Sequence, residues 1–369
     1  MKNRILIIAA ALKVGGAEKV ARDICLCSDA DAYEFHYVVF GDSVGEYEQD
    51  VLDRGGKVFR LESPGKSYRQ YMTALTALIK EYRYHAVHAH TMFNCGWAML
   101  AAKKAGVPVR VAHAHSALDN GKNLKKSLYE AAMRRMILKN ATDLVACGEK
   151  AGIRLFGEKA YRQRGQLILN GVDVEAFRFN ESKRQAIREK LGWQDAFLIG
   201  HAGHLADVKN QSFLLELMPQ LLQLRPNARL LMLGEGEDRA MLEDKIREMG
   251  LEDKALMPGN VTNVGDYLSA MDVFVFPSLF EGMPLAILEV QANGLPCVIS
   301  TGVPRDVFLT DLLHPLALTE DKRKWTDAII CAERENPGSY ADVLKKTGFA
   351  LQGSMEKIYS IYGRESCDD

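Results

Sequence analysis

Short apolar, β-branched runs alternate with longer helical patterns along most of this chain. Ile5–Leu12, Tyr37–Phe40, Lys57–Leu61, Ala86–His88, Val109–His113 and Leu144–Cys147 have the composition of buried strands. Ala17–Ser28, Tyr71–Tyr84 and Trp97–Ala105 lie between them with a helical period. That rhythm predicts a doubly wound parallel sheet. It breaks at Asn170-Gly171-Val172-Asp173, where turn residues lead into polar sequence as far as Lys183. A second series follows at Leu198–His201, Arg229–Gly234, Ala255–Met257, Val273–Phe276 and Pro296–Ile299, again with helical patterns between. Two open α/β sheets are expected, joined by a linker near 171–182 and facing a cleft. A last helical stretch is expected from Tyr340 to Tyr362.

Composition adds limits to this picture. A chain of 369 residues can hold two domains with full cores. Its 47% apolar and 26% charged residues are ordinary for a soluble protein. Ile5–Leu12 is too short to span a bilayer and lacks the length and cleavage pattern of a signal peptide, so a cytoplasmic protein is expected. The seven cysteines are scattered, with one C-x-C at Cys25 and Cys27 and no C-x-x-C, which suits reduced thiols. The net charge of −1 hides an asymmetry. Residues 1–180 carry 27 basic and 19 acidic side chains, and residues 181–369 carry 20 and 29. A basic half suggests an anionic partner: membrane lipid, a lipid phosphate or nucleic acid. No nucleic-acid motif supports the last of these.

The candidate chemistry sits where strands end. Phe276–Ser300 reads as strand, loop, helix from about Pro284 to Ala292, and strand, with Glu281 and Glu289 separated by seven residues. Pro284 suits a first helical turn. Such a helix start presents unpaired N–H groups to a phosphate or a sugar hydroxyl. Eight helical residues would hold the two carboxylates about 12 Å apart along the axis. Glycosidase pairs stand roughly 5–9.5 Å apart. The pair therefore suits one long ligand touched twice, such as a nucleotide-sugar; two ordinary glutamates on an amphipathic helix would look the same. Gly15-Gly16 at the first strand–helix turn lets backbone approach a ligand, without the G-x-G-x-x-G of dinucleotide binding. His204 and Lys209 follow the first strand of the second series.

Histidines cluster as His88-Ala89-His90 and His113-Ala114-His115 at strand ends, where alternate residues share a face. Four such rings could bind zinc, but no carboxylate or cysteine stands beside them at ligand spacing, and no metal is expected. Lys122–Lys139 is a basic helical stretch whose Leu124, Leu128, Ala131, Ala132 and Met136 recur at three- and four-residue steps. It reads either as a membrane-surface helix or as a core helix with a solvated basic face.

Phe276–Ser300 closely resembles the Glu-x7-Glu signature of family 4 glycosyltransferases, retaining enzymes of GT-B fold. The resemblance reaches from Gly15 to about Ser300. It implies two Rossmann-like domains: 1–175 for the acceptor and 176–345 for the nucleotide-sugar, with 346–369 crossing back to the first. It implies catalytic roles for His115, Lys209 and Glu281, with His115 beside the anomeric carbon. Gly15, Gly16, His204, Lys209, Gly282, Met283, Pro284, Leu285 and Glu289 would hold the donor, Glu289 through the ribose. Gly234-Glu235-Gly236 and Pro258-Gly259-Asn260-Val261 are similar to loops that wrap the base. His204 departs from the pattern, standing where the family has an arginine, a permanent charge able to grip two oxygens.

By this resemblance the protein is a hexosyl- or N-acetylhexosaminyl-transferase acting without cofactor or metal. The donor is a nucleotide-diphosphate sugar, with a UDP-sugar favoured over a GDP-sugar. The acceptor is a polysaccharide or a lipid-linked intermediate, as in capsule or exopolysaccharide assembly, at the inner face of a membrane. A sugar-nucleotide epimerase of the same fold, or a non-catalytic sugar-nucleotide binder, are the alternatives.

Overall fold

A computed structural model describes residues 2–116, 123–335 and 337–363. Its contacts divide the chain into two compact units, Met1–Gly171 with Leu351–Asp369, and Val172–Ala350.

The first unit is built on a seven-stranded sheet: β1 (Asn3–Ile8), β2 (Tyr33–Phe40), β3 (Lys57–Leu61), β4 (Ala86–Ala89), β5 (Val109–Ala114), β6 (Asp143–Ala146) and β7 (Gly165–Leu167). The spatial order is β3-β2-β1-β4-β5-β6-β7 and every pairing is parallel. Alternation within each strand sorts side chains onto two buried faces, as a sheet covered on both sides requires. Leu6, Ile8, Val87, Ala89, Ala112 and Ala114 face the helices Tyr68–Tyr82, Cys95–Lys104 and Leu124–Asn140. Ile5, Ile7, Ala86, Val109 and Val111 face the helices Gly16–Leu26 and Leu351–Tyr362.

The second unit has a six-stranded sheet: β8 (Phe197–Ala202), β9 (Ala228–Leu233), β10 (Ala255–Gly259), β11 (Val273–Phe276), β12 (Cys297–Ser300) and β13 (Leu313–Leu316). The order is β10-β9-β8-β11-β12-β13, again parallel throughout. The two passages of chain between the units run side by side, since Val172 N–H donates to the Phe349 carbonyl at 2.8 Å.

Several elements differ from the sequence reading, among them β2, which starts at Tyr33 rather than Tyr37. β1 ends at Ile8, because Leu12 is a buried loop residue whose carbonyl accepts from Tyr47 N–H. A side chain at Gly45 would strike that same Leu12 carbonyl at 2.2 Å, so only glycine fits there. β7 and β13 have no apolar run of their own; β13 lies at a sheet edge, where its Pro315 is tolerated. The final helical stretch is two helices, Pro337–Lys345 and Leu351–Tyr362, which fall in different units. The helix after Glu281 spans Leu285–Ala292, with Pro284 as its N-cap rather than its first residue.

Candidate active site

Strand order reverses between β8 and β11, which opens a crevice at their carboxyl ends. The loops leaving those two strands carry most of the expected donor residues. After β8 the chain makes a turn of 3-10 helix, Asp207–Lys209, and then adopts left-handed backbone at Asn210, φ 55°. The Asn210 amide reaches the Pro277 carbonyl at 3.3 Å, and Leu279 N–H donates to the Val208 carbonyl at 2.8 Å. These bonds tie the loop after β8 to the loop after β11. Across that junction Lys209 Nζ donates to Glu281 Oε1 at 2.6 Å. The two side chains are 20% and 9% exposed, so the charges are largely shielded from water. The ammonium also lies 5.1 Å from the Phe276 ring centroid, a cation–π contact.

Glu281 is anchored from the other side as well. Its N–H donates to the Gly302 carbonyl at 3.1 Å. A side chain at Gly302 would meet the carbonyls of Leu279 and Ser278 at 2.5 and 2.7 Å, so the loop after β12 packs against the loop after β11 through bare backbone. Gly302 and Asn210 thus position the lysine–glutamate pair; Asn210 ends the Lys-Asn segment similar to the family's, with no role of its own read from it, and Gly302 is not marked by sequence. A lone glycine after a strand carries no readable signal; Asn210 beside Lys209 carried a faint one.

Gly282 is exposed, with open space where a side chain would stand. Met283 is half-buried, Pro284 is buried, and Leu285 opens the helix. No side chain among the described residues caps this helix and its first turn holds no acidic residue; of its leading amides, Ile287 N–H donates to the Pro284 carbonyl at 3.1 Å. Glu289 lies in the middle of the helix and is half-buried. Glu281 precedes the helix in loop conformation, so the spacing estimated from eight helical residues does not apply.

His204 lies at the surface, its ring 62% exposed and paired with Glu237 Oε2 at 2.7 Å. Nearby glycines are forced by packing. A side chain at Gly234 would meet the Gly203 carbonyl at 2.0 Å, and one at Gly236 the Leu205 carbonyl at 2.2 Å. Leu205 N–H donates to the Glu235 carbonyl, locking the two loops together. Beneath them His201 is fully buried, its Nδ1 3.0 Å from the Val275 carbonyl and its Nε2 3.3 Å from the Gln211 amide. Burial, with a smaller push from the Lys209 charge, drives His201 down to about 4.

In the first unit the strand order reverses between β1 and β4. Gly15 is the N-cap of helix Gly16–Leu26, with extended backbone, and a side chain at Gly16 would meet nothing within 4 Å. Glu18 in its first turn is half-buried, and burial raises its pKa. His88, His90, His113 and His115 continue the alternation of Ala86, Val109 and Val111, so all four rings stack on one face at the ends of β4 and β5. Their bonds run Tyr362 Oη to His88 Nδ1 at 2.6 Å, His88 Nε2 to His113 Nδ1 at 3.1 Å, and His90 Nδ1 to His115 Nε2 at 2.7 Å. Burial holds His88 down at about 3 and His90 and His113 well below the usual range, so the rings are neutral at pH 7. Met92 follows with left-handed backbone, φ 50°, which is uncommon for a non-glycine residue.

The basic helix spans Leu124–Asn140; Lys122 lies outside the described residues. Its buried residues are Met133, Ile137 and Asn140, not the stripe read from sequence. Leu124 and Leu128 are 77% and 64% exposed, Ala131 and Ala132 are exposed, and Met136 is half-buried. The orientation is set by Gly96, whose missing side chain admits the Met133 backbone at 3.1 Å.

Comparisons with known proteins agree with this architecture. The family described as Glycosyltransferase Family 4 matches residues 14–176, and that described as Glycosyl transferases group 1 matches residues 183–312. The putative glycosyltransferase EpsF of Bacillus subtilis is 33% identical over 98% of this chain and 96% of its own length. An Escherichia coli UDP-Gal:alpha-D-GlcNAc-diphosphoundecaprenol alpha-1,3-galactosyltransferase is 31% identical over 62% of this chain and 61% of its own. The crystal structure of Anabaena HepE in complex with UDP-glucose superposes with a TM-score of 0.77 at 19% identity, covering 97% of this chain and 98% of that one, a likeness of fold. Two Rossmann-like units of GT-B type, two family matches that follow one another along the sequence, and a third of all residues shared with EpsF lead to one assignment: the chain belongs to the family 4, group 1 glycosyltransferases.

Proposed function

We propose that this glycosyltransferase moves a sugar, with retention, from a UDP-sugar to a hydroxyl of a lipid-linked or polysaccharide acceptor. The observation that carries the reading is the Lys209–Glu281 pair beside the uncapped start of helix Leu285–Ala292. A shielded ammonium next to a helix start that carries no side-chain cap is the kind of preorganised charge that stabilises a departing diphosphate. In this reading Lys209 meets the diphosphate, Glu281 and the backbone at Gly282–Leu285 meet the sugar, and Glu289 meets the ribose. Gly15, Gly16 and His115 serve the transfer from the first unit. The bond from the anomeric carbon to the diphosphate breaks, the bond to the acceptor oxygen forms on the same face, and the hydroxyl proton leaves with the diphosphate. No metal enters the step.

The donor class is supported by HepE, whose structure holds UDP-glucose, and by the Escherichia coli relative, whose name specifies UDP-Gal and a diphosphoundecaprenol acceptor. Similarity to the capsular polysaccharide biosynthesis glycosyltransferase CapH of Staphylococcus aureus supports a place in capsular or exopolysaccharide synthesis. A membrane-bound acceptor fits the helix Leu124–Asn140, whose exposed leucines stand beside Lys125, Arg135 and Lys139.

The test is a thermal-shift screen of UDP- and GDP-sugars, followed by nuclear magnetic resonance of the product formed on a lipid-diphosphate sugar acceptor. Retained anomeric configuration with UDP release supports the proposal. An inverted product refutes retention. An epimerised sugar nucleotide formed without acceptor makes the protein an epimerase, and binding without turnover makes it a sugar-nucleotide binder.

A further inference from the structure

The four stacked histidines are more than the transfer reaction uses. Three bonds join them to one another and to Tyr362, and those bonds occupy five of the eight ring nitrogens. His90 Nε2, His113 Nε2 and His115 Nδ1 are buried with no hydrogen-bond partner among the described residues. Buried polar atoms are nearly always satisfied, and a cluster of exceptions calls for a water, an ion or a chemical role. One ring nitrogen each from His88, His90 and His113 lie within 4.8 Å of one another. His88 Nε2 and His113 Nδ1 are already 3.1 Å apart. Two imidazoles on a tetrahedral zinc, each bound at about 2.0–2.1 Å, stand about 3.4 Å apart.

We propose that His88, His90 and His113 form a three-imidazole site for a divalent transition metal of the zinc class. Two of the three second nitrogens are held as such sites require. His88 Nδ1 meets the Tyr362 hydroxyl and His90 Nδ1 meets the His115 ring, fixing ring orientation from outside the coordination sphere. The absence of a carboxylate, which argued against a metal from sequence, is no obstacle: three histidines with water or hydroxide in the fourth position make a complete zinc site. An all-imidazole set suits zinc, copper, nickel or cobalt and disfavours magnesium and calcium. The site lies at the carboxyl ends of β4 and β5, and His115, half-buried, is the least buried of the four residues. The inference stands whether or not the donor assignment does, because none of its ligands belongs to the second unit.

The experiment is calorimetric titration of chelator-treated full-length protein with zinc chloride, with X-ray absorption of the zinc-loaded sample. One zinc per chain is expected, surrounded by nitrogen at about 2.0–2.1 Å and no sulfur at about 2.3 Å. Excess magnesium should not displace it. His88→Gln should abolish saturable binding. Tyr362→Phe, which keeps every ligand, should weaken binding roughly 10–100-fold. The proposal is overturned by no saturable binding to folded protein, or by sulfur in the first shell, which would assign the zinc to exposed thiols such as Cys27 or Cys331. Undiminished affinity in Tyr362→Phe would also overturn it, and that variant decides the matter if His88→Gln does not fold.

Discussion

Lys209 and Glu281 are 72 residues apart in sequence and 2.6 Å apart in the fold. Each had been marked by its motif, but their pairing was not readable, because it depends on bonds from Asn210 and Gly302 that no pattern announces. A single preorganised donor is worth about 10²–10³ in rate, so Lys209→Ala should reduce single-turnover transfer by that order while the fold persists. A loss below threefold would exclude the lysine from the diphosphate. His204→Arg belongs to the same loop. The ring is exposed beside Glu237, so arginine should be accepted with no measurable fall in melting temperature. If the position faces the donor, UDP affinity should rise, since a guanidinium is a permanent, two-pronged donor. Unchanged UDP affinity by calorimetry would remove this position from the site. His201, behind both, makes a third prediction. Its folded value of about 4 lies below the unfolded value of about 6.5. Between these two the unfolded chain takes up a proton that the native chain refuses. Stability is therefore full above about pH 6.5 and falls toward pH 4, by up to ~1.4 kcal/mol per pH unit for this one group. Urea unfolding followed by tryptophan fluorescence across that window should show a shallower pH dependence for His201→Gln than for the wild type.

At the scale of elements, apolar period showed where strands and helices lie more reliably than which side they bury. β3 and β11 match their expected limits because each is a short run rich in β-branched or aromatic residues set between turn signals. β7 and β13 were missed because three- and four-residue edge strands are held by pairing rather than by burial of their own side chains. Helix Leu124–Asn140 shows the limit most plainly. Its sequence offers two apolar stripes, and the neighbour at Gly96 selects Met133 and Ile137 for the interior. Leu124, Leu128 and the basic side chains between them are left outside. This face should bind anionic vesicles in co-sedimentation, and binding should fall as the Debye length shortens from about 10 Å at 0.1 M salt to about 3 Å at 1 M. Charge reversal at Lys125 and Arg135 should abolish it. Equal binding to neutral and anionic vesicles would show that the basic residues play no part.

At the scale of the whole molecule, both units are parallel sheets with the candidate chemistry at strand carboxyl ends. That much follows from the alternation of apolar runs and from the rule that open sheets bind ligands where strand order reverses. Composition alone does not place the far end of the chain on the first unit; the family resemblance is what implies that 346–369 crosses back. Helix Leu351–Tyr362 buries Met355, Ile358, Ile361 and Tyr362 against β1 and its neighbours. Full burial of such side chains stabilises by about 1.5–3 kcal/mol each. A chain ending at Ala350 should therefore lose the first unit's melting transition while the second unit's persists. A single unchanged transition by calorimetry would contradict this.

That closure also fixes an order in time. While the protein is being made, residues 1–171 emerge first, yet the face formed by Ile5, Ile7, Val109 and Val111 is covered only in part, by helix Gly16–Leu26, until residues 351–362 follow. The intervening 172–350 would take roughly 10–35 s to synthesise at about 5–20 residues per second. For that interval the nascent chain presents to the cell the part of the sheet face that helix Leu351–Tyr362 later covers, and the second unit can finish folding before the first. A holding chaperone would find its binding site there, on a surface that the finished protein does not possess.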